Sequence, residues 1–343
     1  MRAIVITKPG GPEVLELRDV ATPEPAPGQV RVRIRACAVN RADLLQRMGM
    51  YPPPADVSQE IPGLEIAGEV DAVGAGVGEL HEGDRVFGVV GGGAYAESVV
   101  VHARTLARIP DSLDFVQAAA VPEAFVTAYD AMVLQGGLTA GEIVLVHAVG
   151  SGVGTAAVQI ARAIGARSIG TARSESKLER ARKLGMDGGV VPTSGSGGPE
   201  FSAKVRELAG AGGAGPGVAG PGVGRGVDVV LELVGGTYVP ESLASLSEKG
   251  RLVLVGLLAG TRAEVDLGLV LRRRLRVFGT VLRARPLEEK ILAAQVLERR
   301  LAPLFASGVL TPVIDRVLPL ERAAEAHASM ADNEGFGKIV LTT

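Results

Sequence analysis

The residues whose types and spacing could do chemistry first are Gly150-Ser151-Gly152-Val153-Gly154, followed further along by Arg173-Ser174 and Lys177. Glycines let a backbone approach a pyrophosphate, and the unpaired N–H groups and positive dipole at the start of a helix point at the anion. The chain carries 47 glycines, so a lone G-x-G-x-G would mean little. The elements around it are what count. Ile143-Val144-Leu145-Val146 is an unbroken apolar run, as expected of a parallel strand covered on both faces. Ala156, Ala157, Ile160, Ala161 and Ile164 then recur at spacings of three and four, which predicts a helix packing one face on the sheet and ended by Gly165. A second strand ends at Ser168-Ile169-Gly170-Thr171-Ala172. Strand, glycine turn, helix and strand together predict dinucleotide binding through Ser151, Gly152, Val153 and Gly154.

The end of the second strand chooses between nucleotides. An NAD-preferring site places Asp or Glu there for the adenosine ribose; this chain has Ala172, Arg173, Ser174 and, one helical turn on, Lys177. Arg and Lys would give a 2′-phosphate charge-assisted bonds worth roughly 1.5–3 kcal/mol each. One such bond means about a ten- to hundredfold preference for NADP over NAD. The alternative is that Arg173 and Lys177 are solvated surface charges and Ser174 caps the helix. Position and sign of charge favour the first.

At 343 residues the chain has length for two domains. Net charge −2 and 22% charged residues give no electrostatic bias toward nucleic acid or anionic lipid. No apolar run reaches membrane-spanning length and MRAIVITKPG alternates like a strand, so the expected location is cytoplasmic. One cysteine, Cys37, excludes an internal disulfide and a multi-cysteine metal site. Aromatics are 3%, so the cores must be aliphatic.

Residues 1 to about 122 read as strands and turns. Val30, Val32, Ile34 and Ala36 alternate with Arg31, Arg33 and Arg35, which predicts a strand with one solvated face. Asn40 offers an N-cap to a short helix from Arg41 to Met48. Tyr51-Pro52-Pro53-Pro54 is stiff and extended, holding Tyr51 either against a substrate or nicotinamide or in a core. Asp114 to about Leu134 is helical, kinked at Pro122. In the second half a short strand ends near Val191, a helix covers Pro199 to Leu208, and the glycine-rich stretch 209–226 predicts a mobile surface loop. Strands at Val227 to Val234 and Arg251 to Leu257 follow; ligands sit beyond the carboxyl ends of such strands, so Val234, Gly256 and Leu257 are candidates to line the cofactor groove. Leu275 to Leu282 reads as a strand, Leu287 to about Ser307 as a helix, and Glu321 to Met330 and Lys338 to Leu341 as the closing helix and strand.

Taken together, Asn40-Arg41-Ala42-Asp43-Leu44-Leu45-Gln46-Arg47, Tyr51-Pro52-Pro53, Gly83-Asp84-Arg85-Val86, Ala119-Ala120-Val121-Pro122-Glu123, Val144-Leu145-Val146-His147, Gly154-Thr155-Ala156-Ala157 and Gly337-Lys338-Ile339-Val340 resemble the zinc-free quinone oxidoreductases of the medium-chain dehydrogenase/reductase superfamily, over nearly the whole chain. The resemblance implies an α/β protein: a GroES-like β-rich catalytic domain, 1–124 with 266–343, and a doubly wound Rossmann NADP-binding domain, 125–265, with the active site in a cleft. It implies Asn40, Tyr51 and Thr127 as residues that orient nicotinamide and substrate without acting as obligatory acid or base, adds Thr280 and Lys338 to the cofactor set, and predicts a homodimer with Leu275 to Leu282 near its interface. The chain departs from the family at Val191-Pro192, where relatives often carry Asn-Tyr, and in a longer glycine-rich insertion near 210–224.

Where zinc alcohol dehydrogenases of the superfamily have a cysteine ligand, this chain has Asn40; where they have histidine before glutamate, it has Leu64 before Glu65; nothing after Val86 corresponds to their four-cysteine lobe. Leucine and a neutral amide cannot replace imidazole and thiolate on zinc, so no metal is expected. Removing hydride from an alcohol needs a Lewis acid to hold the developing alkoxide. Without one, the fitting reaction is direct hydride transfer from NADPH to an electron-poor acceptor such as a quinone, with placement supplying most of the catalysis. Two alternatives stay open: an enoyl-thioester (enoyl-CoA or ACP) reductase, and a non-catalytic crystallin-like or RNA-binding relative. The lack of a basic patch with interleaved aromatics argues against RNA.

Overall fold

The computed structural model describes residues 1–55, 57–195, 197–210 and 225–343, and the chain divides into two compact units, Met1–Val126 with Leu282–Thr343 and Thr127–Val281. The first unit opens with the antiparallel pair β1 (Arg2–Ile6) and β2 (Leu15–Asp19). β3 (Gln29–Ala38) buries Val30, Val32 and Ile34, as the alternation predicts. Its outward arginines meet acids of the neighbouring β4 (Glu65–Val73): Arg31 lies 2.8 Å from Asp71 and Arg35 2.6 Å from Glu69. The arginine row is a charge-balanced sheet face.

Between these strands α1 (Arg41–Arg47) begins. Asn40 precedes it, but the capping bond runs the other way: Asp43 Oδ2 accepts from the Asn40 backbone N–H at 2.8 Å, and the Asn40 amide makes no cap. β5 (Arg85–Val89), β6 (Ser98–His102) and β7 (Ala107–Arg108) follow. The helical stretch after Asp114 is two helices, α2 (Phe115–Ala119) and α3 (Pro122–Tyr129). Pro122 has no N–H to continue the first helix, so it starts the second instead.

The second unit contains β8 (Ile143–Val146), α4 (Gly152–Ala163), β9 (Arg167–Thr171), α5 (Glu175–Lys183) and β10 (Gly188–Val190). A small hairpin, β11 (Thr193–Gly195) and β12 (Gly198–Glu200), leads to α6 (Ser202–Gly210). Of the glycine-rich loop expected at 209–226, residues 211–224 lie outside the described residues. β13 (Val227–Glu232), α7 (Val239–Ser245), β14 (Leu246–Leu254), α8 (Leu267–Arg273) and β15 (Arg276–Gly279) complete the unit. The sheet order is β10-β9-β8-β13-β14-β15 and every pair is parallel. Chain order reverses between β8 and β13, which is where such sheets open a ligand crevice at their carboxyl ends.

The expected domain boundary at 265/266 is corrected to 281/282, because β15 pairs with β14 and extends the nucleotide sheet. The chain then returns to the first unit as α9 (Leu287–Val296), α10 (Ala302–Ala306), β16 (Ile314–Pro319), α11 (Ala323–Asp332) and β17 (Lys338–Thr342). β17 pairs antiparallel with β3, so both ends of the chain build one sheet, ordered β16-β17-β3-β4-β5-β7 with β6 on β3. Both cores are aliphatic, and no described helix is long and apolar enough to cross a membrane.

Candidate active site

In the second unit the turn after β8 is built tightly. Ala148 takes φ 48°, a left-handed conformation that costs a non-glycine residue energy and is found at ligand-binding turns. A Cβ on Gly154 would lie 2.4 Å from Ala148 O, so only glycine lets α4 start this close to the turn. Ser151 caps α4, its Oγ accepting from Gly154 N–H at 3.0 Å, while the N–H groups of Gly152 and Val153 have no backbone partner among the described residues. Two free donors at a helix N-terminus, with a cradle that any side chain would fill, fit a pyrophosphate.

Under this turn runs a buried chain of hydrogen bonds that ties three strand ends together. His147, which directly follows β8, contacts Thr171 Oγ1 through Nδ1 and Ser242 Oγ through Nε2, both at 2.8 Å. Ser242 donates to Glu232 Oε2 at 2.6 Å, and Glu232 Oε1 accepts from the N–H groups of Val234 and Gly235 at 2.9 Å. His147, Ser242 and Glu232 are fully buried and Thr171 is 1% exposed. Since Ser242 spends its proton on Glu232, it must accept from His147 Nε2–H, leaving Nδ1 to accept from Thr171. Burial lowers the His147 pKa, with Glu232 pulling the other way, so the ring stays neutral. A fully buried histidine hydrogen-bonded between Thr171 and Ser242 here fastens loops and is out of reach of substrate.

The predicted cofactor residues Ser151, Gly152, Val153, Gly154, Arg173, Ser174, Lys177, Val234, Gly256 and Leu257 all lie beyond the carboxyl ends of the adjacent strands β8, β9, β13 and β14. Arg173 is exposed and close enough to act on the phenol of Tyr238, whose pKa burial raises and Arg173 lowers. Ser174 is extended and makes no helix cap; its Oγ meets Ser176 Oγ at 3.1 Å. Thr280 follows β15 and donates to Asp130 Oδ2 at 2.8 Å. Thr127 belongs to this second unit and is 7% exposed.

The first unit holds a charged cluster. Lys338, on β17, donates to Val39 O at 3.0 Å and to Asn40 Oδ1 at 2.6 Å, and stands 2.6 Å from Glu65 Oε1. Asn40 Nδ2 donates to Glu65 Oε1 at 2.8 Å and to Ala38 O at 3.2 Å. Glu65 is fully buried and also accepts from Glu123 N–H through Oε2 at 2.8 Å. Three acceptors take the three Lys338 protons, so Lys338, which the resemblance adds to the cofactor set, fixes the Asn40 amide. That amide has both N–H groups committed and keeps one lone pair on Oδ1.

Tyr51 lies beneath Arg283, with the guanidinium carbon 5.1 Å from its ring centroid. Arg283 is 5% exposed and donates to Tyr51 O, Gly91 O and Gln46 Oε1 at 3.2, 2.7 and 2.6 Å. Deeper in, Tyr95 OH donates to Asp43 Oδ2 at 3.0 Å and meets His327 Nε2 at 3.1 Å. Burial, then Arg47, pushes His327 down to about 3, and burial pushes Asp43 up to about 6.

Residues 152–298 match the zinc-binding dehydrogenase family and residues 26–111 the alcohol dehydrogenase GroES-like domain. The human quinone oxidoreductase is 33% identical over 345 residues, covering 99% of this chain and 97% of the relative. The chain belongs to the quinone oxidoreductases of the medium-chain dehydrogenase/reductase superfamily. The Escherichia coli quinone oxidoreductase, solved as a complex with NADPH, superposes with a TM-score of 0.85 at 29% identity, with 100% of each chain covered. A polyketide synthase component from Streptomyces venezuelae is 37% identical over 337 residues, 97% of this chain but 8% of that protein. The zinc in the first family's name does not fit these residues: Leu64 offers no donor and the Lys338 ammonium already contacts Asn40 and Glu65. Among the described residues no group of three or more His, Cys, Asp or Glu is arranged to hold a metal.

Proposed function

We propose that the chain is an NADPH-dependent quinone reductase that works by direct hydride transfer without a metal. The observation that carries this reading is Lys338 locked between Asn40 and Glu65, a donor set suited to an ammonium and unsuited to a Lewis-acidic ion. An acceptor that is already electron-poor needs no such ion. Ser151 to Gly154 would hold the pyrophosphate, and Arg173 and Lys177 the 2′-phosphate, in keeping with the NADPH-bound relative. The nicotinamide supplies the hydride when bound. Tyr51, pinned by three prolines and Arg283, would orient the acceptor.

Purified protein should oxidise NADPH when given a simple quinone, and chelators should leave the rate unchanged; loss of activity on chelation would sink the metal-free reading. Arg173→Ala should raise KM for NADPH about ten- to hundredfold and leave KM for NADH nearly as it was. Equal effects on both nucleotides would return Arg173 to the solvated surface.

The match to a polyketide synthase segment favours a second reading, reduction of an enoyl thioester. The two share the hydride step, so competition between quinones and enoyl thioesters decides between them.

We also infer a homodimer formed along β15. That strand is the edge of its sheet, and around it Leu267, Leu271, Val277 and Val281 are 73, 78, 44 and 55% exposed. An open strand edge flanked by apolar side chains calls for a partner. Light scattering should give a dimer, and Leu271→Asp should shift it to monomer; a monomeric native protein would refute the interface.

A further inference from the structure

Glu123 is the second residue of α3, and its own carboxyl is left without a hydrogen-bond donor among the described residues, with Oε2 sealed from solvent and unpartnered. The residue as a whole is partly buried, its carboxyl being the buried part. The groups that face it are Glu65 from β4, Lys338 from β17, Asp43 from α1, Arg283, and Tyr51. Three carboxyls share this space with two cations. Glu65 receives Lys338, Asn40 and Glu123 N–H, so it holds a negative charge well. Asp43 receives Asn40 N–H and Tyr95 OH. Arg283 spends its guanidinium on two carbonyls and an amide, and among the described residues it pairs with no carboxylate. A charge on Glu123 would therefore face the Glu65 carboxylate from a buried position with nothing donating to it. The positive end of α3 works against this, but only weakly beside burial and a neighbouring carboxylate. Burial, then Glu65, pushes the Glu123 carboxyl up to about 8.

We propose that Glu123 is the proton donor of the reduction, its carboxylic O–H supplying the proton that the acceptor oxygen must take up with the hydride. This rests on the reading of the chain as a reductase of quinones or conjugated carbonyls. NADPH provides the hydride and its electron pair, and the reduced acceptor is left as an oxyanion. The Glu123 O–H bond breaks as an O–H bond forms on that oxygen, and the carboxylate regains its proton from water. Tyr51 is the competing donor, but its phenol is raised by burial above the ordinary tyrosine value and is the weaker acid.

Glu123→Gln keeps the shape of the neutral acid and should fold. In the wild type, kcat/KM for a benzoquinone should fall above about pH 8; in E123Q the plateau should be roughly a hundredfold lower and the fall absent. Tyr51→Phe should lower acceptor binding but retain the alkaline fall. NADPH binding, read by nucleotide fluorescence, should be unchanged in E123Q. Infrared difference spectra of the nucleotide-free protein should show a protonated carboxyl band that titrates near pH 8 and is missing from E123Q. A wild-type protein that reduces quinones, with E123Q retaining its rate and its alkaline limb, overturns the role of Glu123 alone; so does absence of the infrared band at neutral pH. A protein that binds NADPH but reduces neither quinone nor enone overturns the functional reading and this inference with it.

Discussion

Lys338→Met is expected to destabilise the first unit by about 3–5 kcal/mol, the cost of breaking a buried ion pair from one side. At about 2–4 °C per kcal/mol this lowers its melting temperature by roughly 10 °C. The reason is what the substitution leaves behind. Glu65 is fully buried, and without the ammonium its carboxylate keeps only Asn40 Nδ2 and Glu123 N–H. Asn40 Oδ1 loses its donor as well. Glu65→Gln alone should also destabilise, since it strands the cation. The double variant Lys338→Met/Glu65→Gln removes both charges while leaving a side-chain oxygen for Asn40 or Glu123 N–H, and should recover more than half of the summed loss. Calorimetry on the four proteins of this cycle measures the coupling directly. Strictly additive losses would mean the two groups do not support each other and that Asn40 is held by something else.

That cluster was only partly legible in the chain. Periodicity gave the start of the nucleotide unit, because the apolar run Ile143–Val146, the glycine turn and the apolar face of α4 are local signals. The reach of that unit to Val281 was missed, since β15, reading Arg-Val-Phe-Gly, carries no sign of which sheet it joins; its parallel pairing with β14 is a long-range fact. Asn40 was noticed as a cap, yet its amide is turned to Glu65 and Lys338, positions 25 and 298 residues away. Spacing cannot show such a meeting. A signal did exist: Glu65, His147 and Glu232 are polar residues embedded in or ending apolar strands, where an unpaired charge is costly, and each therefore had to have partners. Arg283 gave no such signal, because it lies outside any strand or helix and its partners, Tyr51, Gly91 and Gln46, are 192 to 237 residues away on the chain.

Glu232 provides the sharpest test of how the nucleotide loops are held, because its two obvious variants should behave oppositely. Glu232→Ala strips the acceptor from Val234 N–H, Gly235 N–H and Ser242 OH at once. Each buried donor left unmet costs about 1–3 kcal/mol, so the loop after β13 should loosen and the NADPH dissociation constant rise at least tenfold. Glu232→Gln keeps an oxygen for the two backbone donors and places an N–H against Ser242. Ser242 then accepts from Gln, turns its own proton to His147 Nε2, and His147 must carry its proton on Nδ1 and donate to Thr171. The whole chain reverses direction with no bond lost. This variant should bind NADPH within a few-fold of wild type, and nitrogen NMR should find His147 switched from the Nε2–H to the Nδ1–H tautomer. Wild-type affinity in the alanine variant would show that the turn after β8 holds its shape without this network; an unswitched histidine in the glutamine variant would show that the proton order inferred from Ser242 is wrong.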